Sequence, residues 1–154
     1  MPRPLTALLL AAIAIPGIAA CGDDDDGDDQ AFQDDFPALS ERISALGEEA
    51  GNTIQNAENA SDQELANEFD DLAQRLGELR RELQDLEPPE DLADERDDLT
   101  SAMAQVRSSL DDIASAAEDS DPEAAREATL ELIDRSEELR DARQALGRAV
   151  RQDE

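Results

Sequence analysis

After Phe36, apolar residues recur along the chain at alternating steps of three and four, which is the spacing of one face of an α-helix. The first segment carries this face at Phe36, Leu39, Ile43, Leu46, Ala50, Thr53, Ala57 and Ala60. Gly51, Asn52 and Thr53 lower the helix propensity of its second half, where the face shrinks to alanine. We therefore expect a first helix that either frays near Asn52 or approaches a neighbouring helix closely there.

The second segment has the most complete helical pattern in the chain. Ser61 and Glu64 have the spacing of a capping box, which predicts where this helix begins. Its seam residues are Leu65, Phe69, Leu72, Leu76, Leu79, Leu83 and Leu86, and Ala66 and Ala73 widen the stripe. Asp71 and Arg75 form a favourable i,i+4 pair worth about 0.2–0.5 kcal/mol, whereas each buried large side chain contributes about 1.5–3 kcal/mol. Burial of the seam should therefore provide most of the stability.

Pro88 and Pro89 end this helix, because a proline ring blocks the backbone hydrogen bond of the preceding turn. The third helix is predicted to begin within Glu90 and Asp91, whose charges suit a helix amino end. Its face comprises Leu92, Leu99, Met103, Val106, Leu110, Ile113 and Ala117. Arg96 interrupts this face, and we interpret it as a residue that extends to solvent at the end of the bundle, with a buried ion pair as the alternative.

The fourth helix is predicted to begin at Pro122 as a first-turn proline, with Ser120 or Asp121 as its N-cap. Its face comprises Leu132, Leu139 and Leu146 at seven-residue intervals, and the alanines Ala125, Ala128, Ala142 and Ala149 between them. Arg135 interrupts this face, and we interpret it as a residue at the rim of the bundle. Leu130 and Ile133 lie off the seam, where they either cover a neighbouring helix or contact a partner.

Short connections between amphipathic helices predict an all-α fold, an antiparallel up-down bundle of four helices over residues 36–154. No stretch of the chain shows the alternation of apolar and polar residues that is typical of a strand. A three-helix core with a loose first helix is the alternative.

The amino-terminal segment has the pattern of an export signal. One positive charge, Arg3, precedes an apolar run over residues 5–15, and Pro16 and Gly17 then break the helix before Ile18-Ala19-Ala20-Cys21. This segment resembles the signal peptides of bacterial lipoproteins, and the resemblance implies cleavage between Ala20 and Cys21 and a diacylglyceryl group on the Cys21 sulfur. At sixteen residues, the stretch over residues 5–20 is shorter than the roughly twenty that span a bilayer.

We therefore expect three parts: a signal peptide over residues 1–20, a lipidated cysteine with an acidic disordered tether over residues 21–35, and the bundle. The mature protein would be anchored by lipid to the extracytoplasmic side of the cell membrane, with no cofactor besides the covalent lipid. Ordinary secretion after the same two alanines is the alternative.

The tether contains a run of six aspartates, Asp23, Asp24, Asp25, Asp26, Asp28 and Asp29. Their mutual repulsion and the absence of apolar residues favour an extended, solvated segment. Read as an EF-hand loop from Gly22, the run would place this glycine at position one and Gln33 at position twelve, where calcium needs acidic ligands. These aspartates therefore remain weak candidates for cation binding. Phe32 and Phe36 follow them and are candidates to begin the folded body.

The charge of the chain excludes some partners. Cleavage before Cys21 removes Arg3 and no acid, so the mature chain carries twelve arginines against 41 acids, a net charge of −29. Such a chain repels nucleic acid, and we expect it to bind none. Cys21 is the single cysteine of the chain, so no intramolecular disulfide can form and packing must stabilise the body.

The composition also argues against catalysis. The chain has no histidine, tyrosine, tryptophan or lysine, which excludes a Ser-His-Asp triad and a di-iron bundle of the Glu-x-x-His type. No glycine-rich phosphate loop is present, and acid pairs are too frequent here to indicate a site. We therefore expect a protein that is not an enzyme.

Residues 83–147, with the corner Leu86-Glu87-Pro88-Pro89-Glu90-Asp91-Leu92, resemble small helical lipoproteins of high-GC Gram-positive bacteria. That resemblance implies a helical envelope lipoprotein and no particular activity. Two hypotheses follow from the sequence. In the first, the protein is a membrane-anchored helical interaction or structural module with a protein partner in the cell envelope. In the second, it is an acidic protein that binds cations or sequesters cationic ligands.

Overall fold

A computed structural model describes the backbone of residues 25–152 and the side chains of residues 30–152. Its four α-helices are α1 Asp25–Asn56, α2 Asp62–Asp85, α3 Ala93–Glu118 and α4 Pro122–Val150. Single 3₁₀ turns, Ala57–Asn59 and Glu90–Leu92, precede α2 and α3, and the described residues contain no strand. The helices pack in sequence, α1 on α2, α2 on α3 and α3 on α4, and α1 also contacts α4. The predicted all-α bundle of four helices is confirmed.

The core is built from the seam residues that the heptad pattern identified. In α2, Phe69, Leu72, Leu76, Leu79 and Leu83 are buried, whereas Leu65 and Leu86 at the two ends are partly buried. Leu99, Met103, Leu110 and Ile113 of α3 and Leu132, Leu139 and Leu146 of α4 complete the same cluster. Every helix therefore turns its apolar stripe inward.

The helix ends follow the predicted sequence signals. The Ser61 hydroxyl accepts a hydrogen bond from the Glu64 backbone N–H at 3.3 Å, and the Glu64 carboxylate accepts one from the Ser61 N–H at 2.9 Å. This reciprocal pair is the predicted capping box. Asp121 caps α4, and Pro122 occupies its first turn. Ser120, between α3 and α4, has a φ of 52°, a left-handed conformation that is typical of the residues just after a helix.

The amino end of the bundle differs from the prediction. A disordered tether was expected over residues 21–35, but α1 begins at Asp25, and Phe32 is as deeply buried as Phe36. The two rings stack with centroids 5.7 Å apart, one helical turn from each other. The reason is that Phe32 extends the heptad face by one step, while the neighbouring Asp34 and Asp35 lie on the exposed side.

The second half of α1 remains helical but leaves the core. The buried side chains of α1 are Phe32, Phe36, Leu39, Ile43 and Leu46. Beyond Leu46 no described side chain of α1 is buried, and Ala50 and Ile54 are partly buried against the core. The helix thus does not fray near Asn52, and a Cβ atom at Gly51 would meet no neighbouring helix within 4 Å. Its buried side chains supply five residues of the core and it packs on α2 and α4, so the alternative of a three-helix core with a loose first helix is wrong.

The two arginines that interrupt the seams lie differently. The Arg96 side chain is 22% exposed, and its guanidinium lies 3.2 Å from the adjacent Asp97 carboxylate near the Pro88–Pro89 corner. Arg135 is more exposed and pairs with Glu131 and Glu138 of its own helix. Arg135 therefore occupies the rim position expected of it, and the partner of Arg96 is a solvent-exposed acid.

Candidate functional site

The residues expected to carry the lipid anchor lie outside the described residues. This applies to residues 18–21, which include the expected cleavage site at Ala20 and the lipidation site Cys21, and to Asp23 and Asp24. The backbone of Asp25, Asp26, Asp28 and Asp29 forms the first turns of α1. Among the described residues, no three acidic, cysteine or histidine side chains come together in a geometry that would hold a metal ion.

Leu130 and Ile133, the two expected contact residues, are exposed on the surface of α4. Their side chains are 60% and 48% exposed, whereas most other large apolar side chains of the bundle are buried or half-buried. Because they lie three residues apart, they occupy one face of the helix. Leu130 is the more exposed of the two, and Ile133 also borders residues of α1.

Ile133 borders a cavity system that the sequence did not indicate. Where α1 leaves the core, an opening of about 410 Å³ lies between α1 and α4 and reaches down to α2 and α3; we call it the α1–α4 cavity. Its apolar lining residues are Ile43, Leu46, Ala50, Leu76, Val106, Leu110, Leu132 and Leu139. A shallower pocket of about 280 Å³ continues it along α1 to Ile54 and Ile133. Gly47, Leu132 and Ser136 line both.

The mouth of the α1–α4 cavity is polar. Two arginines and one glutamate line it, Arg140, Arg143 and Glu48, together with Ser44 and Ser136. Arg143 donates a hydrogen bond to the Ser40 hydroxyl at 3.0 Å, which draws its guanidinium across from α4 to α1. Arg140 lies 3.7 Å from Glu137 of its own helix. The site therefore combines an apolar interior with a polar rim, at which no carboxylate of the described residues pairs with Arg143.

An acidic groove lies on the other side of α1, against α2. Its volume is about 480 Å³, and its lining includes Glu49, Glu68 and Asp71 with three asparagines. The Arg75 guanidinium pairs with both Glu49, at 2.7 Å, and Asp71, at 3.2 Å. Hydrogen bonds from Arg75 lower the pKa of Glu49, and the same contacts raise the pKa of Arg75. Because Arg75 already neutralises two of the three acids, this groove is a structural contact between α1 and α2.

The α1–α4 cavity was missed because the heptad pattern identifies which face of a helix turns inward and does not give the distance between helices. The available signal was the pair Gly47 and Gly51, one turn apart beside the apolar positions of α1. A Cβ atom at either glycine would meet nothing within 4 Å, so both face open space. Close approach, one of the two interpretations of this stretch, and a cavity are both compatible with small residues.

Two further observations bear on function. None of the helices within residues 25–152 combines the length and the apolar composition that a membrane span requires. No protein-family model, curated protein or solved structure matches the chain.

Proposed function

We propose that this protein is a lipid-anchored module of the bacterial cell envelope that acts by binding through its helical body and not by catalysis. The observation that carries the proposal is the sequence Ile18-Ala19-Ala20-Cys21, an apolar residue and two alanines before the single cysteine of the chain. A short apolar segment with a positive amino end precedes it, as an export signal requires.

The proposed lipid anchor lies next to the helical body in the sequence. Cys21 precedes the first residue of α1, Asp25, by four positions, so the lipid would attach close to the amino end of the bundle. One acyl chain binds a membrane only marginally, whereas two chains anchor a protein stably. A diacylglyceryl group on Cys21 would therefore hold the whole body at the membrane surface without a spanning helix.

The charge of the body and its exposed apolar residues favour a role in binding. The net charge of the full chain is −28, so the body would repel anionic lipid headgroups and extend away from the membrane. Leu130 and Ile133 are exposed on α4 and are available to a partner. A protein partner with an apolar contact surface and a basic rim would complement both features.

Replacement of the lipidation site tests the proposal directly. In cells that express the full chain, Cys21→Ala should move most of the protein from the membrane fraction to the soluble fraction or leave it as an uncleaved precursor. Membrane fractionation with immunoblotting measures the distribution. Mass spectrometry of the amino-terminal peptide of the unsubstituted chain should find Cys21 as the first residue, bearing acyl chains.

Thr6→Ala is the matched control, because it changes the same segment, keeps the run over residues 5–15 apolar and leaves residues 18–21 unchanged. This variant should remain in the membrane fraction and carry the lipid. The proposal is wrong if Cys21→Ala stays membrane-bound as a cleaved protein, or if the unsubstituted chain begins at Cys21 without an acyl group.

A further inference from the structure

The α1–α4 cavity has the size and lining of a small-molecule site. Binding pockets for small molecules typically enclose about 300–1,000 Å³ and are mainly apolar with a few polar groups. At about 410 Å³ this cavity falls within that range, and all four helices contribute apolar side chains to it. Ile43, Leu76, Leu110 and Leu132 come from α1, α2, α3 and α4 in turn. The cavity is therefore a groove between α1 and α4 that opens to solvent and has the buried core as its floor.

The sequence keeps this space open with a residue that has no side chain. Gly47 lies in the interior of α1 and lines both the cavity and the pocket that continues it. A Cβ atom there would meet no other atom within 4 Å, so a larger residue could fit and would fill part of the space. Alanine would also favour the helix over glycine at this position. Gly47 is itself exposed, so neither helix formation nor contact with another described residue requires a glycine at this edge of the cavity.

The charges at the mouth indicate the head group of the occupant. The cavity is lined by two arginines and one glutamate, and Glu137 pairs with Arg140, so these four charges cancel and Arg143 is the arginine that has no carboxylate partner among the described residues. Arg143 donates to the neutral Ser40 hydroxyl, and no carboxylate of the described residues forms an ion pair with it. Its guanidinium retains donors that an anion could accept. An anionic group would therefore be favoured at this rim and repelled over most of the remaining surface.

We propose that the α1–α4 cavity binds a single-chain amphiphile with an anionic head group, such as a fatty acid or an alkyl phosphate. The acyl chain lies among Ile43, Leu110 and Leu132, and the head group lies at Arg143 and Arg140. A water-sized group occupies about 30 Å³, so a cavity of about 410 Å³ holds a chain of roughly twelve carbons. This inference does not depend on the lipid anchor.

Photolabelling of the full chain in intact cells tests the site, whether or not the chain is anchored to the membrane. The probe is dodecanoate with a diazirine group near the methyl end of its chain, and mass spectrometry locates the labelled peptides. Labelling should concentrate on the residues of α1 and α4 that line the cavity. Gly47→Leu fills the space and should lower this labelling roughly tenfold or more, the effect of about 1.4 kcal/mol in affinity.

Gly77→Ala is the matched control, because a Cβ atom there meets only the flexible Arg107 side chain, at 3.6 Å, and lies outside the cavity. It should label as the unsubstituted chain does. Circular dichroism of both variants confirms that the helices are retained. Equal labelling of Gly47→Leu and Gly77→Ala, or labelling spread over all four helices, would overturn the proposed site.

Competition by unlabelled amphiphiles, below their micelle concentrations, tests the head group. Dodecanoate and dodecyl phosphate should each compete roughly tenfold better than dodecanol, because a charged hydrogen bond contributes about that much. Whichever of dodecanoate and dodecyl phosphate competes more strongly shows whether the site prefers a carboxylate or a phosphate head group. Arg143→Gln should remove the preference for anions, while the exposed Arg148→Gln should retain it. Equal competition by dodecanol, or stronger competition by dodecyltrimethylammonium, would contradict an anionic ligand.

Discussion

At the scale of single residues, arginines join helices that carry many acids. The two terminal nitrogens of Arg75 donate to the two carboxylate oxygens of Glu49 at 2.8 and 2.7 Å, a bidentate pair between α2 and α1. Arg42 of α1 pairs in the same way with Glu82 of α2. The planar guanidinium matches a carboxylate with two parallel hydrogen bonds, which a lysine could not form. The two pairs lie side by side, because their residues are seven positions apart on each helix, and together they fix α1 against α2.

The Arg75 pair makes stability depend on pH in a predictable direction. Hydrogen bonds from Arg75 lower the pKa of Glu49 in the folded state, so the pair stabilises the fold above the unfolded pKa, about 4.3 for glutamate. That contribution is lost as the pH falls through the folded pKa. Since both side chains are about half exposed, we expect Arg75→Gln to cost about 0.5–1 kcal/mol at neutral pH. Urea unfolding at about pH 7 and about pH 3 measures the difference.

Arg135→Gln is the control for this measurement, because Arg135 pairs only with Glu131 and Glu138 of its own helix among the described residues. It should destabilise less than Arg75→Gln, since it joins no two helices. A cost for Arg75→Gln that is equal at both pH values would show that packing of the side chain, and not the ion pair with Glu49, provides the stability.

At the scale of the helix, α4 offers a comparison between neighbouring apolar residues. Leu130→Ser and Ile133→Ser should each change the free energy of unfolding by no more than about 0.5 kcal/mol, because both side chains are largely exposed. Leu146→Ala, on the same helix, should cost about 2–5 kcal/mol because its side chain is fully buried. Denaturant unfolding followed by circular dichroism gives all three values.

The result also distinguishes the two interpretations of Leu130 and Ile133. If they contact a partner, their replacement leaves the isolated protein intact. A cost above about 1 kcal/mol for either serine variant would mean that the residue packs within the protein, and it would then no longer be a contact candidate.

Much of the helical arrangement could be predicted from the sequence, and the exceptions have physical causes. The capping box at Ser61, the corner at Pro88 and the N-cap before Pro122 are local signals, and each marked a helix end correctly. The start of α1 was missed because its acids suggested a solvated chain, although a helix can hold acids on one face and Phe32 on the other. The cavity was missed because the spacing between helices depends on all four of them together.

At the scale of the whole molecule, repulsion between acids opposes folding. The chain carries 41 acids and a net charge of −28, and the eight ion pairs of the described residues engage only eight of those acids. Salt screens both effects, but ion pairs at the surface contribute little while the uncompensated acids repel one another throughout. Screening of the repulsion should therefore outweigh screening of the ion pairs, and salt should stabilise the protein.

Thermal unfolding in sodium chloride tests this balance. Between about 0.01 and about 0.15 M, the screening length falls from about 30 to about 8 Å, and we expect Tm to rise by several degrees. Chloride is the suitable anion because sulfate also strengthens apolar burial. If only screening acts, calcium chloride at the same ionic strength gives a similar rise. A much larger rise with calcium would indicate bound cations and favour the hypothesis of an acidic cation-binding protein, whereas a fall in Tm with sodium chloride would mean that ion pairs such as Arg75–Glu49 dominate the electrostatics.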